Sequence, residues 1–190
     1  MSEKKENNNN QPQHHNQKPK KKYNHNHSNN HNQKDKQKDK PRDKNKISEH
    51  FNRTHFACTC GNCNQEFRMS LALIGILEHL KAKFNQNINV HRAYVCEDYA
   101  KELFGNSKDY HSKGKAIDIS INNVELKDIF NEVENLIEIT GIGFVPSKGI
   151  LHIDMRDKDR NVFIVENGTN QDLTLAMRNK YGLQDLEATS

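Results

Sequence analysis

The sequence predicts an α+β domain, a small and mostly antiparallel sheet with flanking helices, preceded by a disordered tail. Three observations carry this expectation: a break in composition near residue 47, segments of apolar residues at helical spacing, and short strands of period two between them. Residues 1–47 hold 11 Asn and 5 His, but only Met1, Tyr23 and Ile47 as sizeable apolar groups, too little burial to offset the entropy of ordering. They carry 13 Lys and Arg against 5 Asp and Glu, a net of +8, whereas residues 48–190 carry 16 against 20, a net of −4. The overall charge of +4 therefore describes neither part.

The 143 residues from 48 to 190 suffice for one domain with one core. Residues 69–84 read as a helix, with Leu73, Ile74, Leu77, Leu80 and Phe84 at helical spacing. A strand over 87–94 follows, then a short helix over 97–104 that ends at Gly105, the residue type best suited to a left-handed cap. In the strand 116–121, Ile117, Ile119 and Ile121 share one face and leave Asp118 and Ser120 on the other. Asn122 and Asn123 make a connection and supply the N-cap of a helix over 124–139. Strands over 142–145, 150–156 and 161–165 come next, the last two joined by the charged turn 157–160, and a helix over 173–180 closes the domain. No internal repeat is present.

Three polar side chains are arranged to meet at a metal. A His in a glycine-containing turn and an Asp on the strand it enters can converge on one ion, which describes His111 and Asp118. On the strand 150–156, Leu151, Ile153 and Met155 form the apolar face, so His152, Asp154 and Arg156 line the face where a site would lie. His111, Asp118 and His152 leave a fourth tetrahedral position open, the mark of a catalytic rather than a structural zinc. A second cluster, Cys58-x-Cys60-x-x-Cys63 with the distant Cys96, leaves three readings open: a four-thiolate structural zinc, reduced free thiols, or one disulfide in a protein that works outside the cell.

The pattern H-x-x-G-x-A-x-D at His111, Gly114, Ala116 and Asp118, followed by Gly141-Ile142-Gly143-Phe144 and by His152-x-Asp154, resembles the zinc peptidases of the D-Ala-D-Ala carboxypeptidase and peptidoglycan endopeptidase family. The fold of that family is shared with the hedgehog signalling domain. The resemblance covers roughly residues 55–157 and includes the strand end 89–96, upstream of His111. It implies a zinc metallopeptidase that hydrolyses peptidoglycan stem peptides with a D-residue at the cut, the ion being held by His111, Asp118 and His152.

Several positions depart from the family's pattern. Val95 stands where the family has the Arg that holds the substrate carboxylate, Gly149 stands where many members have a general base, and Asp109 stands where Ser is common. Arg92 is the remaining candidate for the carboxylate, although an odd offset from position 95 places it on the other strand face. Asp154, beside His152, is the candidate to orient that ring or to take a proton. The rival reading, favoured by Val95 and Gly149, is a metal-binding module that engages wall peptides or a protein partner without turnover.

Residues 1–47 have the charge to associate with an anionic wall polymer. They lack the interleaved aromatics that stack bases, so nucleic-acid binding rests on charge alone. No apolar stretch near Met1 serves as a signal peptide, and none elsewhere is long enough to span a membrane. The expected location is cytoplasmic as translated, with release as the route to a wall substrate. His50, His55, His79 and His91 have no partner legible in the sequence, and Tyr94 and Tyr110 flank the proposed site.

Overall fold

The computed structural model describes residues 43–64 and 66–184; the tail expectations up to residue 42 lie outside them. Six strands form one sheet in the order β1-β2-β4-β3-β5-β6. They are β1 (Ile88–Arg92), β2 (Ala116–Ile121), β3 (Gly141–Val145), β4 (Ile150–Asp154), β5 (Asn161–Glu166) and β6 (Thr169–Asp172). All neighbours are antiparallel except β3 and β5, because β4 returns to the starting end of β3 and the 157–160 turn then launches β5 on β3's other side. Among the described residues four α-helices accompany the sheet: α1 (Leu71–Phe84), α2 (Glu97–Phe104), α3 (Leu126–Glu134) and α4 (Leu175–Tyr181).

Period two assigns the faces of the sheet. Ile117, Ile119, Leu151, Ile153, Ile142 and Ile164 are fully buried in one core with Leu73, Leu77 and Leu80 of α1 and Ile129, Phe130 and Val133 of α3. At roughly 1.5–3 kcal/mol per buried side chain, this layer dominates the folding free energy and fixes the register that presents the opposite face. Ile47 also packs against the core, and Asn45 accepts a hydrogen bond from the Arg53 N–H, so the described part of the domain begins ahead of residue 48.

Local chemistry moves several boundaries. Helix α1 starts at Leu71 rather than Met69, because Ser70 is extended and its N–H is given to the Gly114 carbonyl. Asn123 is not the cap of α3: it lies at φ 58 in the turn that reverses the chain after β2, and Glu125 occupies the N-cap. The helix ends at Glu134, and hydrogen-bonded turns in place of continued helix carry Ile139 into the core. Strand β6, absent from the sequence reading, is exposed and polar throughout and pairs with β5 across Asn167-Gly168, both at positive φ as a two-residue hairpin turn requires.

Candidate metal centre

One row of paired residues crosses the polar face of the sheet: Arg92 opposite Asp118, Asp118 opposite His152, His152 opposite Gly143, and Gly143 opposite Phe163. The glycines on β3 make room for this row. A Cβ on Gly143 would lie 2.6 Å from the Phe163 ring and 3.0 Å from His152 Cβ, and one on Gly141 would lie 2.2 Å from the Asp154 carboxylate. The G-x-G motif is thus a steric requirement of His152 and Asp154, since real contacts of a Cβ do not come so close.

His111 arrives from the loop between α2 and β2. Its N–H donates to Asp109 Oδ1, and Gly114, at φ 67, closes the turn where a Cβ would meet the Arg68 carbonyl oxygen at 2.4 Å. The imidazole is buried and stacked on Phe104 at 5.8 Å between centroids. His111 Nδ1 lies 2.9 Å from the Ala93 carbonyl, which only accepts, so Nδ1 carries the proton and Nε2 turns its lone pair toward Asp118 at 3.5 Å.

The second ring is fixed in the same way. His152 Nε2 is 3.1 Å from Asp154 Oδ2, while Nδ1 faces Asp118 Oδ1 at 2.7 Å. Asp154 is fully buried and accepts from the Arg156 backbone N–H at 3.1 Å, from Nε at 2.8 Å and from Nη2 at 2.5 Å. Its ordinary pKa of 3.8 falls to about 2: burial opposes ionisation, and the bonds from Arg156 and His152 outweigh it. Asp118 is likewise held well below the carboxylate range, burial being overcome by His111 and His152. For His152, burial favours the neutral ring, but Asp118 and Asp154 prevail and push the pKa up to about 9.

The ligand atoms of His111, Asp118 and His152 lie within 4.8 Å of one another, so the structure brings together the three residues selected from the sequence. A buried carboxylate flanked by two imidazole nitrogens is a donor set suited to a divalent transition metal. Asp118 and His152 keep side-chain exposures of 14% and 18%, enough to face a cleft of ≈ 450 Å³ lined by Arg92, Tyr110, Lys148, Arg156 and Phe163 among others. A larger groove, ≈ 590 Å³, follows the outer edge of β1 but contains none of the three ligands, so the chemistry and not the size selects the cleft.

Arg92 reaches the site, against the strand-face expectation. The register slips between Val90 and Arg92, and this bulge turns Arg92 opposite Asp118, with Nη1 3.3 Å from Asp118 Oδ2. The guanidinium also lies 5.1 Å from the centroid of the Phe104 ring. Val95 is buried, and Gly149 caps a short 3-10 turn at φ 63, so neither presents a functional group. His91 is exposed and bonded to Ser120 Oγ. Tyr94 is buried with its hydroxyl on Glu66, while His50 and His79 pair with Glu78 and Glu132 and His55 Nδ1 accepts from the Asn52 N–H.

The sequence model of the Peptidase M15 family matches residues 49–154, more than half of the 190-residue chain. The chain belongs to the Peptidase M15 family. No curated protein and no solved structure matched the chain in the corresponding searches. The M15 match spans His111, Asp118 and His152, both glycines of β3, Arg92 and Asp154, and it identifies a metallopeptidase-type domain.

Proposed function

We propose that this M15 domain is a zinc-dependent peptidase that cleaves peptidoglycan stem peptides at bonds containing a D-residue. The observation that carries the proposal is the convergence of His111 Nε2, Asp118 and His152 Nδ1, two rings locked by Ala93 and Asp154 with their ligating nitrogens turned inward. A zinc ion held there supplies Lewis-acid polarisation of a carbonyl and lowers the pKa of a bound water to about 7. The remaining work belongs to the chain itself. Arg92, set by the bulge and by Phe104, offers its guanidinium to a substrate carboxylate at the mouth of the cleft, and Lys148 adds positive charge to the same wall. Asp154 is completely enclosed by Arg156 and His152, which suits the orientation of His152 rather than contact with substrate. The basic tail serves as an attachment to anionic wall polymers, and the substrate lies in the cell wall.

Gly149 and Val95 favour a second reading, a metal-binding module without turnover, because neither residue lines the cleft. Digestion of purified muropeptides by the full-length protein, read by mass spectrometry, separates the two. The peptidase reading expects wild-type protein to release defined fragments and Asp118→Ala to release none. Zinc-loaded wild type that leaves every muropeptide intact would establish the binding module instead.

A further inference from the structure

The four cysteines of the described part lie together, and none of them lines the cleft. Cys60-Gly61-Asn62-Cys63 forms a tight knuckle, turned by Gly61 at φ 79 and followed by Asn64 at φ 51. The loop is closed by the Cys58 N–H to the Glu66 carbonyl and by the Glu66 N–H to the Cys63 carbonyl. Cys96 enters from the far side as the N-cap residue of α2. The four sulfurs lie within 4.8 Å of one another, and none is joined in a disulfide.

Distance removes the disulfide from the readings left open by the sequence and is compatible with a zinc. A tetrahedral zinc with Zn–S bonds of about 2.3 Å has S···S edges of about 3.8 Å, whereas a disulfide needs about 2.05 Å. Cys60 Sγ and Cys96 Sγ stand 3.7 Å apart. Backbone N–H groups already point at sulfur, Asn62 N at Cys60 Sγ and Cys96 N at Cys58 Sγ, each at 3.3 Å, the kind of outer bond that orients ligating sulfurs. The four sulfurs converge from two separate segments and share a small apolar cluster with Tyr94, Val95 and Ala100.

We propose that Cys58, Cys60, Cys63 and Cys96 hold a second, structural zinc that staples the loop before α1 to the segment after β1. Its position gives it a role in the first centre. The stapled segment follows directly on Ala93, whose carbonyl fixes the His111 tautomer, and is also tied to the loop by the Tyr94 N–H on the Phe56 carbonyl. This last consequence rests on His111 being a ligand of the peptidase metal, whereas the cysteine centre itself does not.

The test is metal analysis and cobalt substitution of the full-length protein purified under reducing conditions. The two clusters together should bind two equivalents of zinc. The cobalt form should show thiolate-to-cobalt charge-transfer absorption in the near ultraviolet. His152→Ala should lose one equivalent and keep that absorption; Cys60→Ser should lose the absorption along with thermal stability. If Cys60→Ser fails to fold, the wild-type cobalt spectrum still decides. Absence of the thiolate band in wild type, an iron-thiolate chromophore in place of zinc, or fewer than four titratable thiols in the denatured, metal-stripped chain would each overturn the proposal. A thiolate band with no metal lost in His152→Ala would uphold the cysteine centre and contradict the first one.

Discussion

Replacing Asp154 by Asn separates a carboxylate that orients His152 from one that takes a proton. In the native site Asp154 accepts from Arg156 N, Nε and Nη2 and faces His152 Nε2 at 3.1 Å. Asn keeps the volume but loses the charge and turns one acceptor into a donor, so it cannot satisfy Arg156 and the Nε2 proton together. Each charge-assisted bond contributes about 1.5–3 kcal/mol, and the Asp side chain is fully enclosed, so a stability loss of that order is expected. His152 is then free to place its proton on Nδ1, the nitrogen that faces Asp118. Loss of such an outer partner typically weakens metal binding by about 10–100-fold, or roughly 1.4–2.7 kcal/mol. Competition against a chromophoric chelator measures this at fixed pH, with muropeptide turnover followed in parallel at limiting and at saturating zinc. Turnover should recover largely at saturating zinc. A variant with native zinc affinity and turnover depressed at every zinc concentration would refute the orienting role and make Asp154 a proton acceptor.

Four further outcomes are expected. Apparent zinc affinity at the His111 centre should rise about tenfold per pH unit between about 6.5 and 9, because the proton on His152, whose pKa is raised from 6.5 to about 9, must leave as the metal enters; a flat profile would mean that His152 binds no metal. By the same sign, the stabilisation of the metal-free fold by charged His152 is complete below about 6.5 and lost as pH passes through about 9, which thermal melts across that window would reveal. Gly143→Ala should cost about 1–3 kcal/mol and lower the melting temperature, since its Cβ would meet the Phe163 ring at 2.6 Å; an unchanged melt would show that the row tolerates a side chain. Removal of residues 1–42 should leave turnover of soluble muropeptides unchanged while weakening retention on intact walls, an effect that fades as salt shortens the Debye length from about 30 to about 3 Å; equal losses on both substrates would place the tail in the site.

What the sequence revealed follows from the range of the forces involved. Strand 116–121 and helix 97–104 match the observed bounds because period-two alternation and a left-handed glycine cap are local signals. His111, Asp118 and His152 were legible for the same reason: a glycine turn and two alternating strands fix which way each side chain points. The bulge that brings Arg92 beside Asp118 was not, because it is a property of pairing with β2 and leaves no mark in the residues of β1 alone. Strand β6 escaped because a strand exposed on every residue has no hydrophobic pattern. The burial of Asp154 under Arg156 and the vacancy that Gly141 leaves for it emerge only when β3 and β4 are laid side by side.

The central claim is that three side chains from one loop and two strands hold the metal of an M15 peptidase, and zinc stoichiometry tests it most directly. Full-length wild type and the single variants His111→Ala, Asp118→Ala and His152→Ala are dialysed against zinc-free buffer and analysed for metal per folded chain. Each variant should retain one zinc fewer than wild type while keeping its circular dichroism spectrum. Identical zinc content in wild type and all three variants would contradict the account.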